Sequence, residues 1–177
     1  MGDTVITIIV IVLGAILIFV FPLMSVADRS DDVSQLAVQN SVSTFVDEVR
    51  STGRITLSSY DRLVRELNAT GNTYDVEIIV QVLDENPGKK TAQTTYEKIG
   101  ENVYYSEYTT QILDEISDAS NNYTKYLKEG DIVSVSAKNT NTTISQLLRN
   151  FFYTVTGNDA ATIGGSQGGI VTVNGRN

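Results

Sequence analysis

The sequence lacks cysteine, histidine and tryptophan altogether and has only two prolines in 177 residues. Without Cys or His, the chain has no thiolate nucleophile, no imidazole base, no disulfide and no Cys/His zinc site. These absences exclude most common catalytic groups, so we expect neither an enzyme nor a bound cofactor or metal. The length is that of one ordinary domain rather than two.

Positive charge is also scarce. The 13 Lys and Arg residues are outnumbered by 21 Asp and Glu residues, which gives a net charge of -8, and the basic residues are scattered along the chain. Proteins that grip nucleic-acid phosphates concentrate Lys and Arg on one surface. We therefore expect no nucleic-acid partner.

The first part of the chain is a long apolar run. From Thr4 to Val26 there are 23 residues without a charge. At a rise of about 1.5 Å per residue this is about 35 Å of helix, enough to cross a hydrocarbon core of about 30 Å. A cleaved signal peptide is the alternative, since Ser25-Val26-Ala27 has the small-x-small pattern of a cleavage site. The length of the run and the absence of Lys or Arg in Met1-Gly2-Asp3 favour an uncleaved anchor. The positive-inside rule gives little guidance, because Arg29 is the only base close to the run. We expect a cytoplasmic N-terminus because an acidic domain without Lys runs suits the outside.

The pattern then becomes periodic. Val38, Val42, Phe45 and Val49 recur at spacings of 4, 3 and 4, which places them on one stripe of a helix. Gly53 is a suitable helix stop. We therefore predict one continuous helix from Thr4 to Thr52, with the stripe packed on the head. The alternative is two helices joined by a loop at 28–32, where Asp and Ser residues are suited to capping.

Two residues weaken the apolar half of this helix. Gly14 costs about 1 kcal/mol relative to Ala, and Pro22 removes the hydrogen bond to the carbonyl of Ile18. In lipid the helix should stay nearly intact, because unpaired backbone groups are costly there. In an assembled form we predict a local interruption between Gly14 and Pro22, with a simple proline kink as the alternative.

The remaining sequence predicts an α+β fold, with an antiparallel sheet and short helices packed on the long helix. We divide the chain into 1–27, a transmembrane or filament-core helix; 28–53, its amphipathic continuation; and 54–177, an extracytoplasmic head. The predicted elements of the head are a helix at 60–68, strands at 74–82 and 91–99, a helix over 108–116 continued or followed by 123–127, a strand at 131–138, a helix at 143–153, a flexible glycine-rich connector at 164–169 and a last strand at 170–173.

A short polar start, an uncharged run entering a long helix, an apolar helical stripe and a β-rich head together resemble the type IV pilin superfamily. Gly14 and Pro22 lie at a depth similar to that of the helix-weakening residues of those pilins. The head is similar to TadE-like pseudopilins of tight-adherence loci, in strings such as Phe45-Val46-Asp47-Glu48-Val49-Arg50 and Leu148-Arg149-Asn150-Phe151-Phe152-Tyr153.

The resemblance implies a structural subunit of an extracellular filament on the cell surface. The subunit would be held in the inner or cytoplasmic membrane by lipid, extracted by an assembly machinery, and bundled with identical subunits in a helical filament. The implied core positions are Val5, Ile6, Ile9, Val10, Val12, Leu13, Ile16, Leu17 and Val20. Pilins usually use a Glu at the fifth mature position to neutralise a neighbour's N-terminal amine; Asp3 is the only acid here that could take that role.

A second interpretation stays open. The same sequence could be a monomeric single-pass anchored protein whose head binds a wall component, a surface partner or a secretion machine. A membrane-tethered hydrolase that uses only Asp and Glu is a third.

Overall fold

The computed structural model describes residues 2–83, 104–148, 150 and 162–176, and it shows one long helix packed on a small antiparallel sheet with short helices. The predicted α+β class is therefore confirmed. The elements are α1 (Gly2–Thr52), β1 (Arg54–Thr56), α2 (Leu57–Asn68), β2 (Tyr74–Leu83), β3 (Tyr104–Tyr108), α3 (Thr109–Ser117), a 3-10 turn (Ala119–Asn121), β4 (Thr124–Tyr126), β5 (Ile132–Asn139) and β6 (Gly164–Ile170). Residues 144–148 are also helical. The predicted strand at 91–99 and the end of the predicted helix at 143–153 lie outside the described residues.

The long helix α1 is continuous over 51 residues, or about 75 Å. The alternative with a loop at 28–32 is wrong, since these residues are helical. Helix also continues through Gly14 and Pro22, so the interruption proposed for an assembled form stays a prediction. At the far end Gly53 adopts φ +65° and its N–H donates to the carbonyl of Val49 at 2.8 Å. Gly53 thus ends α1 in the left-handed conformation that glycine tolerates best.

Four strands form the main sheet, in the order β3-β2-β5-β6, with every neighbouring pair antiparallel. In the centre, Ile78 lies opposite Val135 and Val80 opposite Val133. A second, two-stranded sheet pairs β1 with β4. Its strands follow the end of α1 and the 3-10 turn, so it closes the head at the end farthest from the apolar run.

The core lies between the second half of α1 and the sheet. Val38, Val42, Phe45 and Val49 are all buried there, as the stripe predicted, together with Val46 on the same helix. Their cluster includes apolar side chains of the strands and short helices: Leu63, Leu67, Ile78, Val80, Ile112, Ile116, Val133 and Val135. The second half of α1 is therefore an internal part of the head.

Three predictions about the head are wrong, two of them in the glycine-rich part of the chain. The glycine-rich segment is the edge strand β6 rather than a flexible connector, and the strand predicted at 170–173 ends at Ile170. A Cβ atom at Gly165 would lie 3.1 Å from the Cα of Gln39, and one at Gly169 would lie 2.5 Å from Nε of Arg50. The glycines are there because α1 runs directly against this strand.

The segment 123–127 is also not helical, since β4 occupies Thr124–Tyr126. Asn122 and Tyr123 both have φ near 55°, which is incompatible with a right-handed helix. The chain leaves the 3-10 turn through these two residues and enters the strand.

Candidate functional site

The first half of α1 presents an apolar surface on all sides. An 18-residue window of the helix has a mean hydropathy of 3.2, and none of that window is buried in the protein. Large apolar side chains are exposed all along it, among them Val5, Ile6, Ile9, Val10, Val12, Leu13, Ile16 and Leu17 of the implied core positions, whereas Val20 is half-buried. By length and composition the helix is able to cross a membrane. A surface of this size needs lipid or other apolar side chains around it.

Charged residues bracket the apolar surface. Asp3 lies in the first turn of α1, where a carboxylate is favoured by the positive end of the helix dipole. At the other end Asp28, Arg29, Asp31 and Asp32 follow the run at once. The structure contains one copy of the chain, so a pairing between Asp3 and a neighbour's amine stays a proposal.

A polar contact joins α1 to the head where the apolar run ends. Oγ1 of Thr143 donates to Oδ2 of Asp31 at 2.9 Å, and Oγ of Ser145 donates to Oδ1 of Asp28. Thr143 and Ser145 are both buried. We call these two hydrogen bonds the neck contact. Two of the carboxylates that were suited to capping a new helix at 28–32 instead accept hydrogen bonds from a distant segment of the head.

A second set of polar side chains of α1 covers the outer edge of β6. Gln35 accepts from the N–H of Gly164 at 2.8 Å and donates to its carbonyl; Gln39 donates to the carbonyl of Ser166 at 3.2 Å. Further along, Nε of Arg50 donates to the carbonyl of Ile170 at 3.0 Å. An uncovered edge strand is a template for unwanted pairing, so these contacts both hold α1 and protect the sheet.

The spacing of these contacts follows from the rise per residue of the helix α1 and of the strand β6. Four residues of helix rise about 6 Å, and two residues of strand rise about 6.8 Å. Gln35 and Gln39 therefore match alternate carbonyls of β6, the ones that point away from β5. The prediction from the sequence missed both glutamines; their i, i+4 spacing beside the apolar stripe was the available signal.

Close backbone packing fixes the far end of α1. The N–H of Leu127 donates to the carbonyl of Gly53 at 2.8 Å, and the N–H of Gly175 donates to the carbonyl of Leu127 at 2.9 Å. A Cβ atom on Gly175 would collide with the carbonyl of Gly53. The guanidinium groups of Arg54 and Arg176 both lie over the ring of Tyr126, at 5.7 and 5.6 Å. Residues near the C-terminus are thus tied to the end of the helix.

Lys125 is a buried lysine of the head. Lys125 on β4 is only 5% exposed, and its Nζ forms ion pairs with Glu115 on α3, at 2.9 Å, and with Glu107 on β3. Burial by itself lowers the pKa of Lys125, but the hydrogen bonds and charges of the two glutamates outweigh it, so the pKa lies above its usual value. The pair of Lys125 and Glu107 joins the two sheets directly, and Glu115 adds α3 to the cluster.

We expect Lys125→Met to destabilise the full-length protein by about 3 kcal/mol, because it leaves Glu107 partly buried without a counter-charge. The pKa of Lys125 is raised in the folded state. The stabilisation that charged Lys125 gives the folded protein is therefore complete below the unfolded pKa of about 10.4 and is lost as the pH rises through the higher pKa of the folded state. Denaturant unfolding in detergent measures the free energy of unfolding. The value for Lys125→Met should lie below the wild-type value by a constant amount from pH 6 to 9, and this difference should shrink in more alkaline buffer. The exposed Lys138→Met is the control; equal deficits for both variants would contradict the assignment.

Comparison with known protein families, curated proteins and solved structures finds no match to this chain. Among the described residues, no group of three or more Asp or Glu side chains is placed to hold a metal ion. The features that point to a function are therefore the exposed apolar half of α1 and the way its other half is built into the head.

Proposed function

We propose that this protein is a pilin-like structural subunit of an extracellular filament, held in a membrane before assembly and bundled through its N-terminal helices afterwards. The observation that carries the proposal is the asymmetry of α1. The second half of this helix forms part of the core of the head, whereas its first half is apolar on every side and presents an exposed surface. That first half needs a partner, which is lipid before assembly and identical helices after it.

Rigid coupling of helix and head supports a filament. A helical filament of identical subunits requires every head to take the same position relative to the bundled helices. Here no linker separates them: α1 passes without interruption from the apolar run into the core, and the neck contact, Gln35, Gln39 and Arg50 fix its position against the head. A head that only searches for a binding partner has no need of this rigidity.

The second candidate function is a monomeric anchored protein with a binding head. It is favoured by exposed aromatic side chains at Tyr105, Tyr108 and Tyr123, a residue type enriched at binding surfaces. The apolar run also has no small-xxx-small pair, which would let helix backbones approach closely. In a filament, the free energy of helix association would have to come from two other sources. These are packing of the β-branched residues between Val5 and Val12 and contacts between heads.

Shearing of cells that produce the full-length protein separates the two functions. The filament function predicts regular fibres in the sheared fraction by negative-stain electron microscopy, and mass spectrometry of those fibres should recover peptides from the apolar run, Thr4 to Val26. The membrane fraction of the same cells serves as the reference for total protein. Recovery of the protein only in the membrane fraction, with no fibres, would favour the monomeric anchor.

A further inference from the structure

The short helical segment at 144–148 has an inverted polarity. Ile144 and Leu147 are 70% and 60% exposed, whereas the neighbouring Thr143 and Ser145 are buried. A surface helix in water normally buries its apolar face and exposes its polar face. Here the hydroxyl groups of Thr143 and Ser145 are used in the neck contact, and Ile144 and Leu147 are left exposed. Leu148 is half-buried.

The position of the segment is as informative as its polarity. The neck contact ties it to Asp28 and Asp31, within two turns of the end of the apolar run. Ile144 lines the same cleft as Leu23 and Val26, which belong to that run and are themselves exposed. At this level Ile144 of the head and the last apolar side chains of α1 therefore border one cleft, which polar residues such as Asn141 and Thr142 also line.

We propose that Ile144 and Leu147 form an interfacial foot that inserts into the lipid bilayer beside α1. The inference rests on the membrane-anchored state in the proposed function. When α1 spans the bilayer, Val26 lies near its surface, and the foot is held at the depth where interfacial helices bury an apolar face by about 5–10 Å. The subunit then contacts the bilayer through both α1 and the foot, and these two contacts fix the tilt and depth of the head. Extraction of the subunit must break the contact between the foot and the lipid.

The charges around the foot indicate the kind of lipid. Asp28, Asp31 and Asp32 lie beside it, and the bases nearest in sequence are Arg29 in that stretch and Arg149, two residues after Leu147, so acids outnumber bases. Anionic headgroups attract basic segments and repel acidic ones. The foot is therefore suited to zwitterionic lipid such as phosphatidylcholine, and anionic lipid should weaken its insertion.

The absence of native cysteine makes a direct test simple, because any introduced cysteine is unique. Four full-length variants, Ile144→Cys, Leu147→Cys, Val10→Cys and Ser51→Cys, are labelled with an environment-sensitive fluorophore. Each is reconstituted in phosphatidylcholine vesicles that carry a nitroxide at a shallow or a deep position. All four sites are exposed, so labelling should leave the core intact.

The expected result is strong quenching of labels at 144 and 147 by the shallow nitroxide, quenching at 10 by the deep one, and none at 51. Phosphatidylserine in the vesicles should reduce quenching at 144 and 147 and leave 10 unchanged. If the label at 10 is quenched while the labels at 144 and 147 report an aqueous environment, the foot is overturned and anchoring by α1 is still supported. Aqueous labels at all four sites would overturn the anchored state as well.

A second copy of the chain is the competing occupant of this apolar patch. Dilution of the protein in lipid distinguishes it, since contact with lipid does not depend on the protein-to-lipid ratio, whereas contact between copies does. Blue-shifted emission at 144 and 147 that persists at less than one protein per vesicle supports the foot. Loss of the blue shift on dilution would overturn it in favour of contact between subunits.

Discussion

Phe45→Ala should lower the free energy of unfolding of the head by about 3–5 kcal/mol. Phe45 is 2% exposed and lies in the middle of the buried stripe of α1, where truncation leaves a cavity among side chains of the helix and the sheet. A domain of this size is stabilised by about 5–15 kcal/mol in total, so the loss is a large share of it. Denaturant unfolding of the full-length protein in detergent micelles, followed by circular dichroism, measures the change.

Leu36→Ala is the matched control for this measurement. Leu36 lies on the same helix but is 72% exposed, and a surface substitution of this kind normally changes stability by no more than about 0.5 kcal/mol. Both variants remove apolar atoms from α1, one at a buried position and one at an exposed position. Similar unfolding curves for the two variants would show that the stripe does not form the core.

Elements with a marked apolar period could be predicted from the sequence. In β2, alternating side chains such as Ile78 and Val80 identified both the strand and its buried face. In α1, the stripe from Val38 to Val49 repeats often enough to define one helical face. In these segments the side chains that determine the structure are close together in the sequence, so the pattern is local.

The edge strand β6 could not be predicted in this way, because its pattern is set by another element. Glycine has low strand propensity, and a run of it normally indicates a flexible segment. Here Gly165 and Gly169 make room for α1, and Gln35 and Gln39 supply the hydrogen bonds that hold the edge. The hydrogen bonds of Gln35 and Gln39 join residues that are 129 and 127 positions apart.

The candidate functional site also has one part that the sequence predicts and one part that it does not. The apolar half of α1 is evident from composition alone, because 23 successive uncharged residues need no tertiary information. The foot is not evident, since Ile144 and Leu147 have the i, i+3 spacing of a face that normally points into a core. Only the contacts of Thr143 and Ser145 with α1 show that this face points outward.

The apolar half of α1 also permits the sharpest test of filament assembly. We expect Val10→Lys to abolish filaments while leaving the protein in the membrane. Val10 is exposed in the single subunit, so the substitution breaks no contact within the head. A Lys at the centre of a membrane helix costs about 2.5–3.5 kcal/mol on insertion scales, and the rest of the run is apolar enough to tolerate it. In a bundle of identical helices, by contrast, every copy would bring the same charge into an apolar core without a counter-charge.

Val10→Leu is the control, because it keeps the position apolar and nearly the same size. Membrane fractionation and negative-stain microscopy of sheared material should be carried out on both variants in parallel. Wild-type amounts in the membrane with no fibres for Val10→Lys, and normal fibres for Val10→Leu, would show that the apolar helices are in contact with one another after assembly. Fibres of normal abundance with Val10→Lys would mean that the apolar helices do not form the filament core, since an unpaired ammonium group at that position cannot be packed among identical apolar neighbours.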